Sequence, residues 1–191
     1  MSSFTSGQSV ALAVTPKISS FLSIVSSTWI VVEVMTQPLK RQNTYNRLLL
    51  MMSVCDLLTT IWFFMSTWPI PPHTTPQVAF AVGNEATCTT QGFFLQAGIW
   101  SPIYNCCLAF YYWLAVKYYS VPSVKDEQTL RRIEYGMHAV PLLFGIGTAI
   151  AGVFLNLYNN ANLWCWIAPL QQQQQEEETC GDSSSSSSSC Q

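Results

Sequence analysis

Residues 47–69 read RLLLMMSVCDLLTTIWFFMSTWP, and this stretch decides the fold class. It is almost entirely apolar, and its one acidic residue, Asp56, lies near the middle. A hydrocarbon core of about 30 Å is crossed by ~20 helical residues, so the stretch is long enough to span a membrane as one helix. Only 9% of the chain is charged while 49% is hydrophobic, whereas a soluble domain carries roughly a quarter of its residues as charges. We therefore predict an integral membrane protein.

Three further apolar stretches have a similar length, and Gln37-Pro38, Pro69–Pro72 and Val121-Pro122 separate the four. Proline cannot continue a helix without losing a backbone bond, so each of these places predicts a loop. The pattern predicts an all-α bundle with a transmembrane domain over 18–169. Its four spans are expected at 18–36, 47–69, 90–119 and 136–158. Residues 1–17 are expected to be an extracellular N-terminus, and 170–191, with runs of Gln, Glu and Ser, a disordered tail.

The basic residues predict the orientation, because Lys and Arg near span ends stay on the cytoplasmic side. Seven of the eight lie around the first and third connections: Lys40, Arg41, Arg47, Lys117, Lys125, Arg131 and Arg132. Only Lys17 lies on the other side. We therefore predict a multi-pass plasma-membrane protein whose N-terminus and loop 70–89 are extracellular.

Several function classes find no support in the sequence. The seven cysteines lack the close pairing of a zinc site, so we expect no metal and no cofactor. The net charge of −2 and the absence of a basic face argue against nucleic acid as a partner. No nucleophile and base share a helix face, so we expect no enzymatic activity.

The second span carries a polar face formed by Asn46, Ser53, Asp56, Thr60 and Thr67, whose spacings place them on one side of a helix. A carboxylate near the bilayer midplane is costly unless it is protonated, paired or hydrated. Asp56 is therefore either a buried ion or proton site that biases conformation, which we favour, or a protonated acid bonded to neighbouring helices. We expect Ser53, Thr60 and, from the third span, Asn105 to belong to this buried polar site.

The third span contains Pro102, which should kink the helix in the membrane. Ser101, Tyr104 and Tyr112 are candidates for lining a ligand cavity beside that kink. Trp100 and Tyr111 are expected to be core residues.

Two further polar features favour structural roles. Glu33, near the inner end of the first span, is expected to be an interfacial carboxylate. Glu134 and His138 are spaced as an ordinary helix-surface pair, and the small residues of the fourth span, such as Gly145 and Gly152, allow close helix packing.

Particular segments of the sequence are more specific than these patterns. The segment KRQNTYNRLLLMMSVCD (40–56) resembles the first inner loop and second helix of the slime-mould cyclic-AMP-receptor-like class of G-protein-coupled receptors, which is related to the secretin-like receptors. STWP (66–69), GNEATCTTQGFF (83–94), SPIYN (101–105) and WC (164–165) resemble the same class. The likeness covers residues 16–168 and implies a seven-helix receptor for an unknown extracellular ligand, which acts on a heterotrimeric G protein. A receptor dimer is a further partner that we expect.

The resemblance also implies roles for individual residues. Cys88 and Cys165 should form the disulfide between helix three and the second outer loop. Lys117 and Tyr118 should lie at the inner end of helix three, close to the transducer. Arg47, Arg131 and Arg132 are expected on that same cytoplasmic, transducer-facing side.

The chain departs from the receptor pattern in two ways. Lys117-Tyr118-Tyr119 stands where rhodopsin-like receptors have Asp-Arg-Tyr, so the roles of those residues do not transfer. Only four spans are found, so we expect a truncated receptor. The alternative is a four-helix membrane adaptor that associates through the small-residue surface of its fourth helix.

Overall fold

The computed structural model describes residues 6–74, 78–119 and 127–168. In order, the elements are α1 (Ser6–Thr36), α2 (Pro38–Arg41), α3 (Thr44–Met65), α4 (Glu85–Ala97), α5 (Trp100–Tyr119), α6 (Glu127–Phe154), β1 (Tyr158–Asn160) and β2 (Cys165–Ile167). Within these described ranges, four stretches are long and apolar enough to cross a membrane: Val10–Thr36, Thr44–Met65, Glu85–Lys117 and Arg131–Phe154. The predicted all-α bundle with four such helices is confirmed. The predicted disordered tail, 170–191, lies outside the described residues.

The first span begins well before the predicted residue 18, because α1 is already helical at Ser6. The predicted extracellular segment 1–17 is thus helical over its described part. Pro16 lies inside this helix, and Lys17 is accommodated there by the end of α3. After the predicted orientation, we label this end of the bundle outer and the opposite end inner. The Lys17 ammonium donates to the carbonyls of Phe64 and Met65 at 3.2 and 3.1 Å and lies 4.0 Å above the Trp68 ring. Carbonyl and ring contacts of this kind make a cation tolerable within an apolar helix.

The second span, α3, runs from Thr44 rather than 47 and ends at Met65 rather than 69. Asn43 caps its start, since the Asn43 side chain accepts a hydrogen bond from the Tyr45 backbone N–H. Its end is set by Ser66, whose φ of 48° cannot continue a right-handed helix.

The third span is two helices rather than one, because the chain turns at Gly98 and Ile99 between α4 and α5. Pro102 explains the position of this break. It has no N–H to donate to the carbonyl of Gly98 four residues earlier, and that carbonyl instead accepts from the Ser101 backbone at 3.2 Å. The helix is therefore interrupted beside Pro102, where the sequence predicts a kink.

The fourth span, α6, begins at Glu127 and ends at Phe154, so the predicted span 136–158 is displaced towards the C-terminus. Residue 158 instead starts a hairpin that the sequence patterns did not predict. In this hairpin β1 and β2 pair antiparallel, with Tyr158 opposite Ile167 and Asn160 opposite Cys165. Each strand has only three residues, too few to show an alternating pattern.

The helices pack around α3 and the third span. α1 lies along α3, while α4 and α5 lie between α3 and α6. The buried core is formed by Leu48, Cys55, Ala97, Trp100, Tyr104, Met137 and Ala149. Large apolar side chains such as Trp29 and Leu143 point outwards and are 74% and 73% exposed. An apolar exterior around a packed interior suits a bundle surrounded by lipid.

Candidate functional site

The residues of the predicted polar site lie in two separate places, one on α3 and one on the exposed side of α5. Ser53 is buried, Asp56 is half-buried, and the Thr60 hydroxyl donates to the backbone carbonyl of Asp56 at 2.7 Å. The Asp56 carboxylate forms no hydrogen bond or ion pair with any described residue. Asn105 is exposed, and its amide donates to the Ser101 carbonyl of its own helix at 3.3 Å. Asn105 therefore lies on the exposed side of α5 and is not buried with the α3 residues.

The ends of the predicted polar face have separate partners. The Asn46 amide donates to the Lys40 carbonyl at 3.0 Å, while the buried Thr67 hydroxyl has no partner among the described residues. Glu33 is exposed and pairs with Lys40 at 2.5 Å, as an interfacial carboxylate would.

The three candidate cavity residues also separate. Tyr104 is fully buried, and its hydroxyl lies 3.4 Å from His138 Nδ1 on α6. Tyr112 is exposed, with its ring centroid 5.6 Å from that of Tyr45, and Ser101 is half-buried. Tyr104 is therefore a core residue that contacts α6, and none of the three lines the cavity described below.

Trp100 is the core residue that the sequence predicts, and it joins two helices. It is 5% exposed, and its indole N–H donates to the Thr59 hydroxyl of α3 at 3.1 Å. Beside it, a Cβ added at Gly98 would lie 2.6 Å from the Thr59 methyl group, so only glycine permits this approach. Tyr111 is half-buried and packs against the core.

Arg47 and Glu134 hold the inner ends of α3 and α6 together. The Arg47 guanidinium donates two hydrogen bonds to the Glu134 carboxylate, at 2.5 and 2.6 Å, and the Thr44 hydroxyl donates a third at 3.2 Å. Arg47 also donates to the carbonyls of Arg41 and Gln42 in the connection before α3. A bidentate pair of this kind fixes both position and orientation. Arg47, predicted to face a transducer, is thus engaged between helices, and Glu134 bonds across the bundle.

The other predicted transducer-facing residues lie at the same end of the bundle. The Lys117 ammonium lies 4.7 Å from the Trp113 ring centroid, and Arg131 and Arg132 are exposed. The side chain of Tyr118 lies outside the described residues.

The opposite, outer end is closed by a disulfide. Cys88, in the first turn of α4, is bonded to Cys165 of β2, and both are buried together with Ile70. This is the pair that the resemblance implies. It ties the start of the third span to the hairpin that follows the fourth.

Sequence reasoning missed Gln91, which lies one turn from Cys88 and is fully buried. Its amide N–H groups donate to the carbonyls of Trp62 and Ser66 at 3.0 and 2.8 Å, and its carbonyl accepts from the Cys165 N–H at 2.8 Å. One side chain thus joins α3, α4 and β2. The only signal in the sequence is a polar residue three positions after Cys88, which does not identify its partners.

Tyr158 fixes the hairpin from the other side. Its hydroxyl donates to the Ala149 carbonyl at 2.9 Å, and burial raises the pKa of this phenol, so it stays a donor through the physiological range. Its ring fits between two glycines. A Cβ at Gly92 would lie 2.6 Å from this ring, and a Cβ at Gly152 would lie 2.3 Å from the Tyr158 hydroxyl oxygen.

These outer elements enclose a cavity of about 530 Å³. Its described lining comes from the connection between α3 and α4, the first turns of α4, the end of α6 with the turn after it, and the hairpin: Pro71, Thr74, Glu85, Cys88, Thr89, Gly152, Val153, Asn156, Tyr158, Asn159 and Asn160. Such a volume lies within the range of small-molecule sites. It is the candidate binding site that the described residues form.

Comparisons with known proteins add no family to this picture. No protein-family model, no curated protein and no solved structure matches the chain.

Proposed function

We propose that the four spans are the first four helices of a seven-helix G-protein-coupled receptor that recognises an extracellular ligand. The observation that supports this most is the Cys88–Cys165 disulfide, which links the start of the third span to the connection after the fourth. The resemblance to the cyclic-AMP-receptor-like class implies this pair. The fold brings the two residues together from a sequence separation of 77.

The proposal includes an orientation in the plasma membrane. The disulfide end faces outwards, where an oxidising environment preserves the bond. The end that holds Lys40, Arg41, Arg131 and Arg132 faces the cytoplasm. A protease site inserted within residues 120–126 should be cut only from the cytoplasmic side, and an N-terminal tag should be accessible on intact cells. Cleavage of that site from outside would contradict the orientation.

The polar residues near the middle of the helices support the presence of further helices in the bundle. Asp56 has no described partner for its carboxylate, and Asn105 is exposed on α5. In hydrocarbon such groups are costly unless other protein covers them. Helices five to seven of a receptor would provide that cover beside α3 and α5.

Signalling in this proposal needs the additional helices, because G-protein activation requires two arrangements of the bundle between which a ligand can select. Residues 1–191 carry four spans. We therefore expect purified residues 1–191 in lipid nanodiscs to give no nucleotide exchange on heterotrimeric G proteins. Ligand-dependent exchange above the empty-nanodisc control would overturn this expectation.

The test of the receptor proposal is the complete messenger RNA. Three further apolar spans in frame downstream of residue 191 would support it, and the longer product should then promote nucleotide exchange. A verified reading frame that stops after Gln191 would reject the seven-helix proposal.

That outcome would favour the alternative, a four-helix membrane adaptor. On the fourth span, Gly147 and Ala151 are exposed, and their small size allows another helix to approach closely. An adaptor would be recovered from membranes in a stable complex with another protein, and replacement of these residues by leucine would release it.

A further inference from the structure

We propose that the outer cavity binds a small organic cation, a molecule with an ammonium group beside an apolar or aromatic body. This inference names the ligand class for the extracellular site of the proposed receptor and rests on that proposal for its physiological meaning. The binding itself is a property of the cavity.

The cavity has a buried floor and an exposed rim. Cys88, Gly152 and Tyr158 are buried, and they present a disulfide and an aromatic ring. Glu85, Val153 and Asn156 are exposed. Pro71 and Val153 add apolar surface. An apolar floor with a few polar groups at the entrance is the usual arrangement of a small-molecule site.

The charge in the described lining of this cavity has one sign. Among the described lining residues Glu85 alone is charged, and none of them is Lys or Arg. The sequence extends this result, since the loop 70–84 and the segment 155–168 contain no Lys, Arg, Asp or Glu. A site with one carboxylate and no cation attracts a cation and repels an anion. Phosphate-bearing nucleotides therefore do not suit this cavity.

Three polar groups of the lining are available to a ligand. The Glu85 carboxylate, the Thr89 hydroxyl and the Asn156 amide form no hydrogen bond with any described residue. Other polar lining groups are engaged. The Asn160 amide donates to the Thr74 hydroxyl at 3.0 Å, and the Asn159 amide donates to the Ala168 carbonyl at 2.9 Å. An ammonium group has only donors, so a carboxylate, a hydroxyl oxygen and an amide oxygen are suitable acceptors for it.

The experiment uses three probes of similar shape and different charge. The full chain, purified in nanodiscs, is titrated with 2-phenylethylammonium, the neutral 2-phenylethanol and the anionic 3-phenylpropanoate, and binding is measured by calorimetry. We expect the ammonium probe to bind about tenfold or more tightly than the alcohol, because a hydrogen bond to a charged group is worth more than a neutral one. The carboxylate probe should bind most weakly.

Three variants test whether the preference for the ammonium probe arises in the cavity or elsewhere in the chain. Glu85→Gln should remove the preference for the ammonium over the alcohol. Asn156→Asp, which adds a carboxylate at the rim, should increase that preference; Asp tolerates the backbone φ of 51° found there. Glu33→Gln changes the same charge at the other end of the bundle and should have no effect.

Equal binding of the three probes, or a preference for the ammonium that survives Glu85→Gln, would overturn the proposal. Absence of binding by a chain whose Cys88–Cys165 bond is intact would also overturn it. G protein is absent from this measurement, so its outcome is independent of nucleotide exchange. Charge-selective binding with no receptor activity would reject the proposed function and keep the site.

Discussion

Replacement of Gln91 by methionine should destabilise the outer end of the bundle. Methionine has a similar length and helix propensity but cannot form the three hydrogen bonds of the amide. The carbonyls of Trp62 and Ser66 and the N–H of Cys165 would lose this partner in a region where Gln91 is fully buried. A buried polar group without a partner costs about 1–3 kcal/mol, so the total should reach about 3 kcal/mol or more.

Thermal unfolding of the detergent-purified protein, followed by tryptophan fluorescence, measures this loss. At about 2–4 °C per kcal/mol for a chain of this size, a loss of about 3 kcal/mol lowers the Tm by about 6–12 °C. Gln96→Met is the matched control. Gln96 lies on the same helix and accepts from the Trp166 indole at 3.0 Å, but that bond is exposed. Its loss should cost under about 1 kcal/mol. Equal shifts for the two variants would refute the role assigned to Gln91.

Three other variants probe separate contacts. Arg47→Met should lower the free energy of unfolding by about 1–2 kcal/mol, a modest loss because Arg47 is partly exposed. A double-mutant cycle with Glu134→Gln should show that the two effects are coupled, and additive effects would contradict the ion pair. Gly152→Ala should destabilise the protein by about 1–3 kcal/mol, because the added Cβ would meet Tyr158. At Gly147 an added Cβ meets nothing within 4 Å, so Gly147→Ala should be neutral or stabilising by about 0.5–1 kcal/mol; the reverse order of melting temperatures would contradict this packing. Tyr158→Phe should cost about 1 kcal/mol at neutral pH. Because the pKa of Tyr158 is raised in the folded protein, this phenol ionises at a lower pH in the unfolded chain, so the stability that it contributes is lost as pH rises above about 10. The stability of the Phe variant should therefore fall less than that of the original protein above this pH.

The sequence predicts the helices well because their signal is local. An apolar run such as 47–69 requires only that most of about 20 consecutive residues be apolar, and this property does not depend on which other residues they contact. The position of the break in the third span follows from Pro102 and its carbonyl partner four residues earlier. Helix ends were less predictable, since Lys17 is tolerated inside α1 only through its contacts with Met65 and Trp68.

The site was less predictable because its contacts are long-range. Gln91 bonds residues 29, 25 and 74 positions away, and no local pattern records such distances. The sequence indicates a generic helix-packing position at Gly152, whereas the structure gives Gly152, together with Gly92, one partner, Tyr158. Residue type alone predicts that Asn105 belongs to the buried polar site, although its side chain is exposed. Its orientation depends on how far α5 turns after the break, which the spacing does not determine.

The contacts of the bundle differ between its ends and its middle. At the outer end the disulfide and Gln91 join α3, α4 and the hairpin, and at the inner end Arg47 joins α3 to α6. Between them, Thr59 holds the interrupted third span against α3 through the Trp100 indole, one turn from Asp56, whose carboxylate has no partner among the described residues. The described lining of the cavity includes residues of α4 and α6 but none of α3. A ligand there would therefore act on α3 through contacts such as that of Gln91 with Trp62 and that of Trp100 with Thr59, and the second of these contacts lies one turn from Asp56.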